Sequence, residues 1–112
     1  MQKHTQIYLD SFGLDKSDNN SFVPSEISSK RAVDIHHIIG RGKKGEDRIE
    51  NLMALTRDEH QDYGDEKDYM VLLLKIHQRF LDLNDIPYNE GYFNFYINKY
   101  QNQTGLKDVK KI

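Results

Sequence analysis

A chain of 112 residues has room for one domain, and with a hydrophobic fraction of 37% and a mean hydropathy of -0.82 it can draw on five Phe and seven Tyr for its core. A net charge of -2 argues against non-specific coating of nucleic acid, no stretch approaches the roughly 18 apolar residues of a membrane span, and the absence of cysteine excludes disulfides. The first residues, MQKHTQIYLDSFG, lack the apolar segment of a secretory signal, so a cytoplasmic location is expected.

Thr5 to Phe12 predicts a short helix, with Ile7, Tyr8 and Phe12 on one face and Gly13 as its stop. Leu14 to Ser21 is loop by composition, and Phe22-Val23-Pro24 is expected to return apolar side chains to the core. Ala32 to Ile39 is rich in β-branched residues and predicts a strand. Gly40 to Gly45 cannot be a regular element, and its glycines allow backbone to approach a ligand closely. Ile49 to Leu55 predicts a second strand that pairs back on the first across this extended loop. Thr56-Arg57-Asp58-Glu59 fits a capping box that places His60 in the first turn of a helix. Gly64 interrupts the pattern, and a longer helix follows from Glu66 to Leu83, with Tyr69, Leu73, Ile76, Phe80 and Leu83 as its buried stripe. Asn84 to Pro87 is a break. Tyr88 to Tyr100 is aromatic-dense, and Phe93, Ile97 and Tyr100 recur at helical spacing; residues 102–112 are expected to form a mobile tail.

Charge is uneven along this chain. Residues 30–57 carry seven Lys/Arg against four acids, whereas the remainder carries nine against fourteen. A positive stripe on an acidic body suits a local phosphate contact whose strength falls with salt, although a solvated loop would look the same. Arg41, Lys43, Lys44 and Arg48 are the candidates, Arg41 being best placed for a bidentate clamp.

The same stretch holds the polar cluster of the molecule, VDIHHIIGRGKKGEDRIENLMALTRDEH from Val33 to His60. Adjacent strand residues point to opposite faces, so His36 and His37 can serve different purposes. Asp34 precedes His36 by two and shares its face, where it could accept a hydrogen bond from that imidazole and fix its tautomer. Each feature alone has an ordinary explanation. A His-His pair is more often structural than catalytic, an Asn after a loop serves turns, and a histidine in a first helical turn can simply be exposed. His77, in an apolar helical stretch, is expected in the core, as are the aromatics from Tyr88 to Tyr100, with base stacking as their alternative.

Taken together, the pattern HH–x13–N–x8–H at His36, His37, Asn51 and His60, on a strand, a loop, a strand and a helix, resembles the HNH or ββα-metal endonucleases, in particular the small phage-borne members. The match covers about 28 of the 112 residues. It implies an α+β fold with a ββα-metal core over residues 31–64, joined by an N-terminal helix and a helical part over 65–101. His36 and His60 would be ligands of one divalent metal ion, Mg²⁺, Mn²⁺, Ni²⁺ or Zn²⁺. His37 would be the general base, and Asn51 would orient the loop or the base histidine, or reach the metal. The reaction implied is hydrolysis of DNA phosphodiesters to 5′-phosphate and 3′-hydroxyl ends, in a bacterial or phage-infected cell. It needs a group that takes a proton from water near neutrality and a cation that neutralises the leaving oxygen.

Two departures qualify the resemblance. Many relatives carry a structural zinc knuckle of four cysteines; the matching places here read Ser25, Ser28, Thr56 and Glu59, so no such knuckle is expected and other contacts must replace its contribution. Members with three histidine ligands carry one at the position of Gly64, so a two-histidine site with more water is expected. Cutting both strands would be simplest for a homodimer. The alternatives to catalysis are a non-catalytic nucleic-acid- or protein-binding ββα module, and an accessory factor acting with phage packaging or recombination proteins.

Overall fold

In a computed structural model the described residues are 2–14, 22–43 and 45–104, the side chains of 102–104 aside. Lys44, most of the Leu14–Ser21 loop and residues 105–112 therefore lie outside the description. The chain is α+β. Its centre is an antiparallel pair, β1 (Asp34–His37) and β2 (Leu52–Leu55), in which Asp34 faces Leu55, Ile35 faces Ala54, His36 faces Met53 and His37 faces Leu52.

The strand alternation divides this pair between two cores. Leu52 and Ala54 look toward α1 (Lys3–Ser11), where Tyr8 is buried among Ile7, Phe12, Val23 and Ile35. Met53 and Leu55 look the other way, into the larger core with Ile38, Ile39, Leu73, Leu74, Leu81 and Phe93. All four residues of β2 are buried, because helices cover both faces of a sheet only two strands wide. Both strands are shorter than Ala32–Ile39 and Ile49–Leu55 suggest. Ile49–Asn51 coils into a 3₁₀ turn, and the Ile38 and Ile39 N–H groups close on the backbone and side chain of Asn51 instead of extending a ladder.

Thr56 caps α2 (Arg57–Glu59) as its sequence predicts: the Glu59 N–H donates to Thr56 Oγ1 at 3.1 Å and the Thr56 N–H to Glu59 Oε1 at 2.9 Å. The helix then widens into a π turn, His60–Gly64, closed by the Asp65 N–H on the His60 carbonyl at 3.0 Å. After a 3₁₀ turn at Lys67–Tyr69 comes α3 (Met70–Leu83), and α4 (Glu90–Thr104) packs back on it. The buried stripe of α3 is broader than expected and rotated from it. Met70 to Leu74, His77 and Leu81 are buried, whereas Leu83 is 70% exposed, because the helix is covered from the sheet side and the α4 side together. Two further expectations change: Phe22 stays largely exposed with Arg31 over its ring at 5.1 Å, and α4 continues to Thr104, past the predicted start of the tail.

The turn after Pro24 binds these parts together through two adjacent side chains. Ser25 Oγ donates to Glu59 Oε1 and accepts from the Ile27 and Ser28 N–H groups. With the Ser28 N–H on Ser25 Oγ, residues Ser25, Ser28, Thr56 and Glu59 are gathered in one hydrogen-bonded knot. The next side chain, Glu26, is buried between Tyr8, whose hydroxyl donates to Oε2 at 2.7 Å, and His77, whose Nδ1 lies 2.7 Å from Oε1. His77 Nε2 donates to the Ile49 carbonyl at 2.6 Å. A histidine donating from both nitrogens is an imidazolium; burial alone would lower its pKa, and the facing Glu26 charge reverses this and raises it. His77 is thus a core residue, as its apolar setting predicts, but as half of a buried ion pair.

Removing one partner of such a pair leaves an uncompensated buried charge, so Glu26→Ala should cost on the order of 3–5 kcal/mol in urea unfolding. Tyr8→Phe, which removes one hydrogen bond to the same carboxylate, should cost about 1–2 kcal/mol. Equal losses for the two would show that Glu26 acts as a polar filler and not as a charge.

Candidate active site

His36 and Asp34 leave β1 on the side of α2, and His37 leaves it on the side of α1, as alternation requires. On the first side the His36 and His60 rings lie 4.7 Å apart between centroids, tilted by 55°. His36 is buried, and its Nε2 has no hydrogen-bond partner among the described residues. Burial, and then the neighbouring His60, push the His36 pKa down to about 4, so the imidazole is neutral at pH 7 with a free lone pair. A buried, unsatisfied nitrogen is costly unless something occupies it. A cation is the partner a neutral imidazole nitrogen accepts, and these residues fit one.

His60 is oriented by carboxylates. Its Nδ1 donates to Asp34 Oδ2 at 3.1 Å, and its Nε2 lies 3.3 Å from Asp65 Oδ1. Asp34 in turn receives a bidentate pair from Arg57, Nε to Oδ2 at 2.9 Å and Nη2 to Oδ1 at 3.2 Å. Partial burial pushes the Asp34 carboxyl up, and the hydrogen bonds from Arg57 and His60 more than reverse this, leaving it below the ordinary range. The sequence placed Asp34 behind His36; it stands behind His60 instead, because the π turn brings that ring across the end of β1. An Nδ1–H held by a carboxylate leaves His60 Nε2 as the nitrogen for a ligand.

Gly64 explains how the two rings come so close. A Cβ there would lie 2.8 Å from His60 Cδ2 and 3.2 Å from His36 Cε1 and Nε2, so no side chain fits without moving a histidine.

On the other side of β1, His37 Nε2 donates to Asp47 Oδ1 at 2.6 Å, which leaves Nδ1 to accept a proton. That hydrogen bond, from the His37 side chain, keeps the Asp47 carboxyl below its usual range. Arg41 Nη2 reaches the same oxygen at 3.3 Å, and the His4 ring from α1 lies 4.6 Å from the His37 ring. These residues line an open depression of about 560 Å³ together with Gln2 and Lys3.

Asn51 touches neither histidine side chain through any described hydrogen bond. It is fully buried and clamps the base of the glycine-rich loop, with Oδ1 accepting from Ile39 N–H at 2.7 Å and Nδ2 donating to the Ile39 and Glu46 carbonyls at 3.1 and 3.0 Å. Of the basic candidates, Arg41 and Lys43 are exposed on a 3₁₀ turn, whereas Arg48 is engaged by Glu50 at 2.8 Å and stacks over Tyr92 at 4.6 Å.

Three participants were not read from the sequence: His4, Asp47 and Asp65. His4 precedes Tyr8 by one helical turn, which signals a shared face. Asp47 and Asp65 sit in irregular backbone, where no period announces a partner.

Two measurements probe this arrangement. The unfolded chain takes up the His36 proton near 6.5 and the folded chain only near 4, so stability should be lost as pH falls from 6.5 toward 4, by on the order of 3 kcal/mol at the limit. Denaturant unfolding of wild type and His36→Gln across that range should show a shallower acid limb in the variant; parallel curves would mean that His36 titrates normally. Gly64→Ala should displace an imidazole, costing about 1–3 kcal/mol and weakening metal binding, and a variant matching wild type in both would show the ring contact to be loose.

No protein-family model matches the chain, nor does any curated protein or any solved structure.

Proposed function

We propose that this protein is a small metal-dependent endonuclease of the ββα-metal (HNH) type that hydrolyses DNA phosphodiester bonds. The observation that carries this reading is the buried, unpartnered Nε2 of His36 beside a carboxylate-oriented His60, with His37 held by Asp47 on the opposite face of the same strand. His36 and His60 would hold a divalent cation, with water completing its coordination. When bound, the cation supplies electrostatic stabilisation of the phosphate and of the leaving oxygen.

The chain's own residues account for the rest. A phosphate across the end of β1 would meet His36 on one side and His37 on the other. His37 Nδ1 takes a proton from water as the water oxygen forms its bond to phosphorus. Asp47 stabilises the resulting imidazolium through Nε2, as a carboxylate behind a base histidine does. The phosphorus–O3′ bond breaks in line, the 3′-oxygen is protonated by solvent, and the phosphate stays on the 5′ side. Lys3 and Arg41 flank the depression beside His37 and suit the neighbouring phosphates.

A binding-only role would rest on the basic stripe. Arg48 is already paired with Glu50 and Arg57 with Asp34, which weakens the electrostatic footprint of that stripe. Among the described residues no helix is long and apolar enough to cross a membrane.

Nicking of supercoiled plasmid with Mg²⁺, Mn²⁺, Ni²⁺ or Zn²⁺ tests the reading. His37→Ala should lower the rate by about 10²–10⁴-fold, the span of general-base catalysis, while leaving the affinity of the His36 and His60 pair for metal near that of wild type. His60→Ala should weaken metal binding in calorimetry. Cleavage that survives His37→Ala unchanged removes His37 as base, and a folded wild type inert with every metal removes the nuclease reading.

A further inference from the structure

The cluster on the α1 side of β1 has the chemistry of a second metal site. Ligand atoms of His4, His37 and Asp47 all lie within 4.8 Å of one another, and each residue is half-buried rather than splayed into solvent. The three come from separate parts of the chain, α1, β1 and the loop before Ile49, so their convergence is a product of the fold. His4 Nδ1 is itself buried and without a hydrogen-bond partner among the described residues, a second orphaned imidazole nitrogen in this small molecule. The open depression over the cluster leaves space for water to complete a coordination shell.

We propose that His4, His37 and Asp47 bind a borderline transition-metal ion, with Zn²⁺, Ni²⁺ or Co²⁺ as the class, at a site distinct from His36 and His60. Two imidazoles and one carboxylate are a donor set that selects such ions over Mg²⁺, which prefers oxygen. The flanking charges work in both directions. Asp47 compensates the ion, whereas Arg41, 3.3 Å away on the same carboxylate oxygen, must turn outward, which its exposed side chain can do. Lys3 also lines the depression and disfavours a second cation nearby.

The consequence, which rests on His37 being the base, is inhibition. An ion on His37 and Asp47 occupies both the proton acceptor and the carboxylate that steadies it. Zn²⁺ on His36 and His60 would then activate, whereas Zn²⁺ on His4, His37 and Asp47 would inhibit. The α1 histidine would set the threshold between the two.

Equilibrium dialysis against Zn²⁺ and Ni²⁺, with long-range ¹H–¹⁵N NMR of the histidine rings in the Zn²⁺ titration, counts and locates the sites without reference to cleavage. Wild type should bind two equivalents, and the His4 and His37 ring signals should move with one of them, the second site here. His4→Ala should retain one equivalent. Asp47→Asn should weaken the second site by at least about tenfold while leaving the first, and His60→Ala should remove the first while leaving the second. In nicking assays, the Zn²⁺ concentration that halves each protein's own maximal rate should rise by about tenfold or more in His4→Ala. One equivalent in wild type that leaves the His4 and His37 ring signals unmoved, or a His4→Ala protein that still binds two with unchanged His37 shifts, overturns the site. Two equivalents in a protein that never cleaves DNA would uphold the site and remove the nuclease reading. Retained His4-dependent binding without inhibition would confine the error to the role of His37.

Discussion

The buried carboxylate of Glu26 is the contact on which the rest of this fold depends. It receives Tyr8 from the first helix and His77 from the third, and His77 passes the connection on to the Ile49 carbonyl just ahead of the second strand. Four segments far apart in sequence therefore meet at one charge in a region sealed from water. Electrostatic interactions there are strong, and an unmatched group is costly, so the arrangement discriminates sharply between the correct assembly and a shifted one. A two-stranded sheet has little cooperativity of its own, and this polar centre supplies positional definition that additional strands would otherwise give.

The Ser25–Glu59 knot sits one residue away and governs the other half of the molecule. It ties the turn after Pro24 to the helix that carries His60, while the Glu26 N–H reaches the Ala54 carbonyl on the second strand. Ser25, Ser28, Thr56 and Glu59 thus hold these segments together with hydrogen bonds of modest individual strength. The rest falls to the neighbouring helices and their packing on the sheet.

Much of this was legible along the chain. The capping box, both strand cores, the long helix and the placement of the paired histidines on opposite faces follow from local patterns, and the structure has each of them. What could not be read were relations set by docking. Asp34 turns to His60 instead of His36 because a π turn, invisible to a 3.6-residue period, carries that ring inward. Likewise His4 reaches His37 only because Tyr8 and Leu9 seat the first helix on the sheet. The stripe of the third helix departs from its periodicity for a related reason: a helix packed on two sides buries residues that a single-face pattern assigns to water.

The Asn51 clamp has a consequence for how this scaffold can change. By holding Ile39 and Glu46 from beneath, it fixes the two feet of the glycine-rich loop independently of what lies between them. Between those feet, and apart from Gly45, where a Cβ would meet the Ile39 carbonyl oxygen, the tip can change in length at little more than the logarithmic cost of closing a larger ring, while His36 and His37 stay where the first strand puts them. Variation in what the protein grips could then accumulate within a few residues, insulated from the residues that would do its chemistry.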